Sequence, residues 1–283
     1  MLNLVYGKGS IVGAALVESP EVNGISFTGS APVGRRIVAA AAAATTRVQA
    51  EMGGKNPLIV LDDASLPKAV EVAANGAFFS TGQLCTASSR LIVASSVHDE
   101  FVERLSRRMS EMRVGNALDP ETVIGPVVDA AQLEQDLRYL RIAAEEGGAV
   151  TGGERVERAT DGYFLSPALV TRTDNGMTVN REEVFGPVAS VIRVDGYDEA
   201  LAVANDTEFG LSAGICTTSL SAARHFVRHS SAGMVMVNAP TAGVDYHVPF
   251  GGAKGSSYGP KEQGTYAREF FTRVKTAYID ADG

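Results

Sequence analysis

Hydrophobic positions along the chain follow two rhythms. Short runs rich in β-branched residues alternate with longer segments whose apolar side chains recur every three or four positions. That alternation predicts an α/β protein built on mostly parallel sheets. "GISFTGS" reads as a strand ending in a glycine turn, "VGRRIVAAAAAATT" as the helix after it, and "RVQAEMGG" as a strand stopped by Gly53 and Gly54. A second series follows: "NPLIVLDDAS" as strand and turn, a helix over about 66–79, "RLIVAS" as a strand, and "VHDEFVERLSRRMSEM" as a helix with Phe101, Leu105 and Met109 on one face. "FLSPALV", "VASVIRV", "LSAGICTT" and "GMVMVN" are further strand candidates, with helices around 131–144, 198–205 and 221–229. "MLNLV" already reads as a strand, so the chain enters the pattern in mid-stride. Only about two β-α units precede Gly53, whereas a doubly wound dinucleotide domain has two βαβαβ halves.

Composition narrows the classes. The 283 residues, 45% hydrophobic and 20% charged, describe an ordinary globular protein near the size at which chains divide into domains. A net charge of −8 with scattered acidic residues offers no basic face for nucleic acid. The alanine-rich run from Ile37 is too short to span a bilayer, so no membrane partner is expected. "MLNLVYGKGS" lacks a basic region followed by an apolar core, which makes a cytoplasmic location the default. Two distant cysteines give no disulfide framework and suit a reducing compartment.

Four stretches could carry chemistry. In "FFSTGQLCTASSR", Cys85 sits in a Gly-Gln turn after a predicted helix. A cysteine in an apolar setting is most often inert core, yet a thiol at a turn, near backbone amides, can be an activated nucleophile. "AEMGGKNP" puts Glu51 at a strand end between Ala50 and Met52. The alternatives are a solvated surface carboxylate and a general base of raised pKa. "FTGSAPVG" places Gly29 and Gly34 at the mouth of a helix, where a phosphate could bind or where the chain simply turns. It lacks the Lys-Ser/Thr of a nucleotide triphosphatase loop and is not G-x-G-x-x-G. "EEVFGPV" sets Glu182, Glu183 and Phe185 before a Gly-Pro turn that opens a strand. Cys216, alternating with apolar residues in "SAGICTT", reads as core, and no histidine lies near Cys85 in sequence.

In order along the chain, "FTGSAPVG", "AEMGG", "FFSTGQLC", "EEVFGPV" and "PFGGAKGSSYG" together resemble the aldehyde dehydrogenase superfamily, over the whole sequence. The resemblance implies a three-layer α/β fold with parallel sheets, a partial cofactor domain and a complete catalytic domain. Its parts would be residues 1–52 as the end of a dinucleotide-binding domain, 53–261 as the catalytic domain, and 262–283 as a C-terminal helix and oligomerisation strand. It implies an NAD- or NADP-dependent enzyme in which Cys85 attacks an aldehyde and Glu51 activates water. Gly29, Ser30, Gly34, Met52, Gly53, Glu183 and Phe185 would contact the cofactor, and no metal would take part. "FFTRVKTAYI" alternates like the strand through which such subunits join, which implies a homo-oligomer. "STGQLCTASSRLIV", "PVVDAAQLEQDLRYL" and "PFGGAKGSSYGPKEQG" are most similar to dehydrogenases of 2-oxoglutarate semialdehyde (2,5-dioxopentanoate). Compared with the family, the chain resembles a C-terminal portion, without the family's oxyanion asparagine and adenine-ribose lysine. It is therefore expected to be inactive by itself. The alternatives are a cofactor-independent cysteine acyl-hydrolase and a non-catalytic assembly fragment.

Overall fold

A computed structural model of the protein describes residues 2–281. The chain divides into two compact units. Among the described residues, the smaller draws on 2–52, 245–251 and 257–281, the larger on 53–244 and 252–256.

The smaller unit begins with a π-helical turn (Gly9–Gly13) that runs into a short helix, α1 (Ala14–Glu18), followed by β1 (Gly24–Thr28), α2 (Ala31–Ala43) and β2 (Arg47–Glu51). β1 and β2 pair in parallel, Gly24 opposite Arg47 and Thr28 opposite Glu51. α2 starts after Ser30 and carries Pro32 in its first turn, where a missing N–H has no helical partner to lose. The "MLNLV" segment is not the expected strand: residues 2–6 are exposed, Leu2 at 97%, and outside any element. Apolar, β-branched composition holds a strand only when a ladder partner exists, and among the described residues this segment has none.

The larger unit runs β3 (Asn56–Val60), α3 (Leu66–Phe78), β4 (Ser88–Ala94), α4 (His98–Ser110), α5 (Ala130–Glu145), β5 (Ala149–Gly152), β6 (Ala168–Thr173), α6 (Thr178–Arg181), β7 (Val188–Val194), α7 (Tyr197–Asn205), β8 (Ser212–Cys216), α8 (Leu220–His229) and β9 (Met234–Val237). Its strands form one sheet in the order β5-β6-β7-β4-β3-β8-β9, parallel except for β5. The pleat explains the layering. Leu58, Val60, Leu91 and Val93 pack with Ala73, Phe101 and Leu105 of α3 and α4, while Ile59, Ile92 and Ile192 pack with Ala200, Ala204 and Phe226 of α7 and α8. Alternate residues of buried strands thus feed two cores, giving the three-layer arrangement expected of a mostly parallel sheet. The strand expected at "FLSPALV" starts only at Ala168: Pro167, which has no N–H to give a ladder, bounds it.

The chain then returns to the smaller unit. β10 (Ser257–Tyr258) lies antiparallel on β2, with Ser257 opposite Glu51, and α9 (Ala267–Phe271) follows. The "FFTRVKTAYI" tail leaves that helix and runs outside any strand, with Val274, Tyr278 and Ile279 at least 90% exposed. No helix among the described residues is long and apolar enough to cross a membrane.

Candidate functional site

Cys85 lies where the chain has been forced through an unusual bend. After α3, residues Phe79–Gly82 form a tight 3-10 turn in which Ser80, Thr81 and Gly82 all have positive φ (52°, 61° and 66°). Non-glycine residues rarely take such angles, and the strain persists only where surrounding structure imposes it. Gly82 is required: a Cβ there would stand 2.2 Å from the carbonyl oxygen of Gly186. Three residues on, Cys85 is only half buried. Its backbone is held by Asn56, the first residue of β3, which is 2% exposed. Asn56 Nδ2 donates to the carbonyls of Cys85 (2.8 Å) and Ala87 (2.9 Å), and its Oδ1 accepts from Ser212 N–H at 3.0 Å. One buried amide therefore uses donor and acceptor together to pin the loop to β3 and β8. Cys216 contrasts with this: it is 2% exposed in β8, and burial pushes its thiol up to about 12.

The "EEVFGPV" turn adjoins the same region of the larger unit. Gly54 N–H donates to Glu183 Oε1 at 2.9 Å, and a Cβ on Gly53 would meet Glu183 Oε2 at 2.1 Å. A Cβ on Gly54 would stand 2.7 Å from the Cys85 carbonyl. The double glycine thus lets two segments approach one backbone. Burial raises the Glu183 pKa, opposed by the Gly54 bond and by Lys55. Lys55 is itself fully buried. Desolvation and then Arg90 push it down to about 7, against the pull of Glu183 and Glu182. Arg90, also fully buried, spends its donors on the carbonyls of Lys55, Val203 and Ala204 and on Asn175 Oδ1. Phe185 takes a positive φ of 63° and stays 37% exposed. With Gly54, Leu84, Ala87, Glu183 and Gly186 it lines a small pocket.

In the smaller unit, Glu51 closes β2 and is 3% exposed, so it is not a solvated surface carboxylate. Ser257 Oγ donates to Glu51 Oε2. Lys261 donates to the Gly251 carbonyl, and the Glu51 charge raises its pKa against the larger lowering by burial. Gly29 N–H donates to the Glu51 carbonyl at 3.1 Å. Ser30 begins α2 without a side-chain cap, and Gly34 makes room for Met52, whose Sδ would stand 2.4 Å from a Cβ there.

The expected residues therefore fall into two groups. Gly29, Ser30, Gly34, Glu51 and Met52 cluster in the smaller unit; Gly53, Cys85, Glu183 and Phe185 belong to the larger. Three histidines are engaged elsewhere: His98 with Asp99 and Arg193, His225 with Tyr197, His229 with the His225 carbonyl. Sequence reasoning did not single out Asn56, Lys55 or Arg90. Asn56 and Arg90 stand in buried strands where hydrophobes are usual, and Lys55 immediately precedes β3.

The profile of the aldehyde dehydrogenase family matches residues 1–277. The alpha-ketoglutaric semialdehyde dehydrogenase of Bacillus subtilis is 44% identical over 99% of this chain and 58% of its own length. A betaine aldehyde dehydrogenase of Cereibacter sphaeroides is 42% identical over 99% of this chain and 57% of its own. Among solved structures, an NAD-dependent aldehyde dehydrogenase from Sinorhizobium meliloti superposes with a TM-score of 0.94 at 35% identity, over 97% of this chain and 54% of that one. Betaine aldehyde dehydrogenase of Staphylococcus aureus, solved in complex with NAD+, gives 0.90 at 35% identity over 93% and 53%. The chain spans little more than half the length of these relatives.

Proposed function

The chain belongs to the aldehyde dehydrogenase family, and on that premise we propose that it serves the oxidation of an aldehyde to a carboxylate with NAD or NADP, through Cys85. The observation that carries the proposal is the tethered, strained, half-buried loop that presents one of two thiols while the other is sealed in β8. The Cys85 thiolate adds to the aldehyde carbon to give a thiohemiacetal. Loss of hydride leaves a thioester on Cys85, and water activated by Glu51 releases the carboxylate and restores the thiol.

The residues present fit a dinucleotide. The α2 N-terminus after Gly29 and Ser30 is a phosphate-compatible end with no side-chain cap, and Glu183 rests on a glycine turn in which a Cβ on Gly53 has no room. Gly29, Ser30 and Gly34 would hold the pyrophosphate, with Met52 and Gly53 beside it, Glu183 would hold a ribose, and Phe185 would flank the nicotinamide. When bound, the cofactor accepts the hydride. The similarity to the B. subtilis enzyme favours 2-oxoglutarate semialdehyde as substrate, and betaine aldehyde is the second reading. The exposed residues 271–279 of the "FFTRVKTAYI" tail support association with further copies of the chain, and a soluble cytoplasmic setting accords with two free cysteines.

The test is direct. Brief iodoacetamide treatment at neutral pH, mapped by mass spectrometry, is expected to label Cys85 well before Cys216, and p-nitrophenyl acetate should acylate Cys85 without cofactor. Preferential labelling of Cys216 in folded protein would overturn the assignment. Aldehyde-dependent reduction of NAD or NADP on co-expression with the N-terminal part of a homologous enzyme, lost in Cys85→Ala, supports the dehydrogenase. Steady ester turnover with no cofactor reduction would support the acyl-hydrolase instead.

A further inference from the structure

Asp136 lies on α5 in the stripe Leu133, Asp136, Leu140, Ala143, all four residues buried. Three of these are the apolar face of the helix, so a carboxyl stands where the pattern calls for a hydrophobe. It is 0% exposed. Oδ1 accepts from Gln132 Nε2 at 2.8 Å, while Oδ2 is buried with no hydrogen-bond partner. The carboxyl is aimed at the "EEVFGPV" turn. A Cβ on Gly186 would stand 2.2 Å from Oδ1 and 2.4 Å from Oδ2, so the turn rests its backbone directly on the carboxyl. The same helix grips the turn again, because Gln132 and Gln135 both donate to the Val184 carbonyl, at 3.0 and 2.9 Å.

An ionised carboxylate with one oxygen sealed and unpaired is costly, whereas a protonated carboxyl can be buried with far less penalty. The charged groups nearby do not offset that cost. On the turn, Glu182 accepts from Tyr139 Oη at 2.6 Å and Glu183 is taken by Gly54 N–H. Lys55 is coupled to Glu183 and Glu182. On α5, Arg138 lies over the Tyr139 ring. Burial acts on Asp136 most strongly, opposed only by the Gln132 bond, and holds it up to about 7.

We propose that Asp136 is a protonation-gated positioning residue for the turn that carries Glu183 and Phe185. Protonated, it lets Gly186 pack and the turn hold its shape; ionised, it loosens the turn. The consequence for cofactor grip rests on the roles proposed above for Glu183 and Phe185, but the gate itself does not.

Hydrogen exchange of the segment 182–188, corrected for intrinsic rates, tests it on the whole chain at about pH 5.5 and about pH 8.5. In the parent protein the segment should exchange several-fold faster at the higher pH, while β3 stays protected at both. Asp136→Asn, neutral at every pH and close in shape, should abolish that difference. Lys55 also titrates near neutrality and faces Glu183, so it is the comparison of variant with parent that isolates Asp136. An unchanged pH response in Asp136→Asn, or equal protection of the parent at both pH values, would overturn the proposal. Should that variant not fold, Lys55→Met removes the other group that titrates near neutrality; it should keep the parent's pH difference in segment 182–188, and loss of that difference there would overturn the proposal. Aldehyde oxidation does not enter, so a failure of the dehydrogenase reading leaves this result interpretable.

Discussion

In the smaller unit the candidate residues follow their strands: Gly29 and Ser30 come after β1, and Glu51 closes β2. In the larger unit they precede them: Gly53 and Gly54 come before β3, Cys85 before β4, and Glu183 before β7. Ligands of open parallel sheets commonly gather outside the carboxyl ends of the strands, and the smaller unit obeys that rule. The larger unit builds its candidate site on the amino edge. There, a loop entering a strand is held by side chains that reach across to it. Asn56, Arg90 and the double glycine supply the anchorage, and each is buried for that purpose.

Substitutions can break this contrast. The largest effect is expected from Gly82→Ala, which combines a left-handed backbone with a Cβ 2.2 Å from a carbonyl oxygen. Backbone strain and overpacking together should cost about 3–5 kcal/mol of unfolding free energy in urea melts, with loss of preferential Cys85 labelling. Asn56→Ala comes next. It strands two carbonyls and one N–H, so a loss of about 2–4 kcal/mol is expected, and the Cys85 labelling rate should approach that of an unstructured thiol. If Asn56→Ala left both stability and labelling unchanged, the amino-edge anchorage would not be what holds the loop.

Lys55→Met sharpens the comparison through pH. The folded Lys55 pKa of about 7 lies below the 10.5 of an ordinary lysine, so between these values the unfolded chain binds the proton and the folded one does not. Parent stability should therefore rise as pH climbs from 7 towards 10.5. Melting temperatures of Lys55→Met should lose that slope. The smallest effect is expected in the smaller unit. Gly34→Ala meets the movable thioether of Met52 rather than backbone, and about 1–2 kcal/mol should be lost with Cys85 labelling unaffected.

Much of this was legible in the chain itself. β3, β4, β7 and β8 announce themselves as apolar runs because both faces of their sheet are covered, and α4 does so through Phe101, Leu105 and Met109. "MLNLV" misled because a strand is a property of pairs, not of composition. β5 (Ala149–Gly152) and β10 (Ser257–Tyr258) are too short for any alternation to register. Cys85, Glu51 and the glycine turns were visible as motifs. Their supports were not, because Asn56 and Lys55 look like loop polars and Asp136 like a solvated helix residue. The one available signal was the placement of Asp136 on the stripe of Leu133, Leu140 and Ala143.

The pairing of Glu51 with Ser257 also sets a timetable. These residues are 206 positions apart, so the hydrogen bond to Glu51 and the short strand beside it cannot form until the chain has been made past Ser257. At about 5–20 residues per second, that interval is on the order of 10–40 s. All seven strands of the larger unit, within 56–237, are made in that interval, so its sheet can assemble before Ser257 reaches Glu51. A ribosome stalled before Ser257 would therefore carry a chain with the Cys85 loop formed and Glu51 still unclothed.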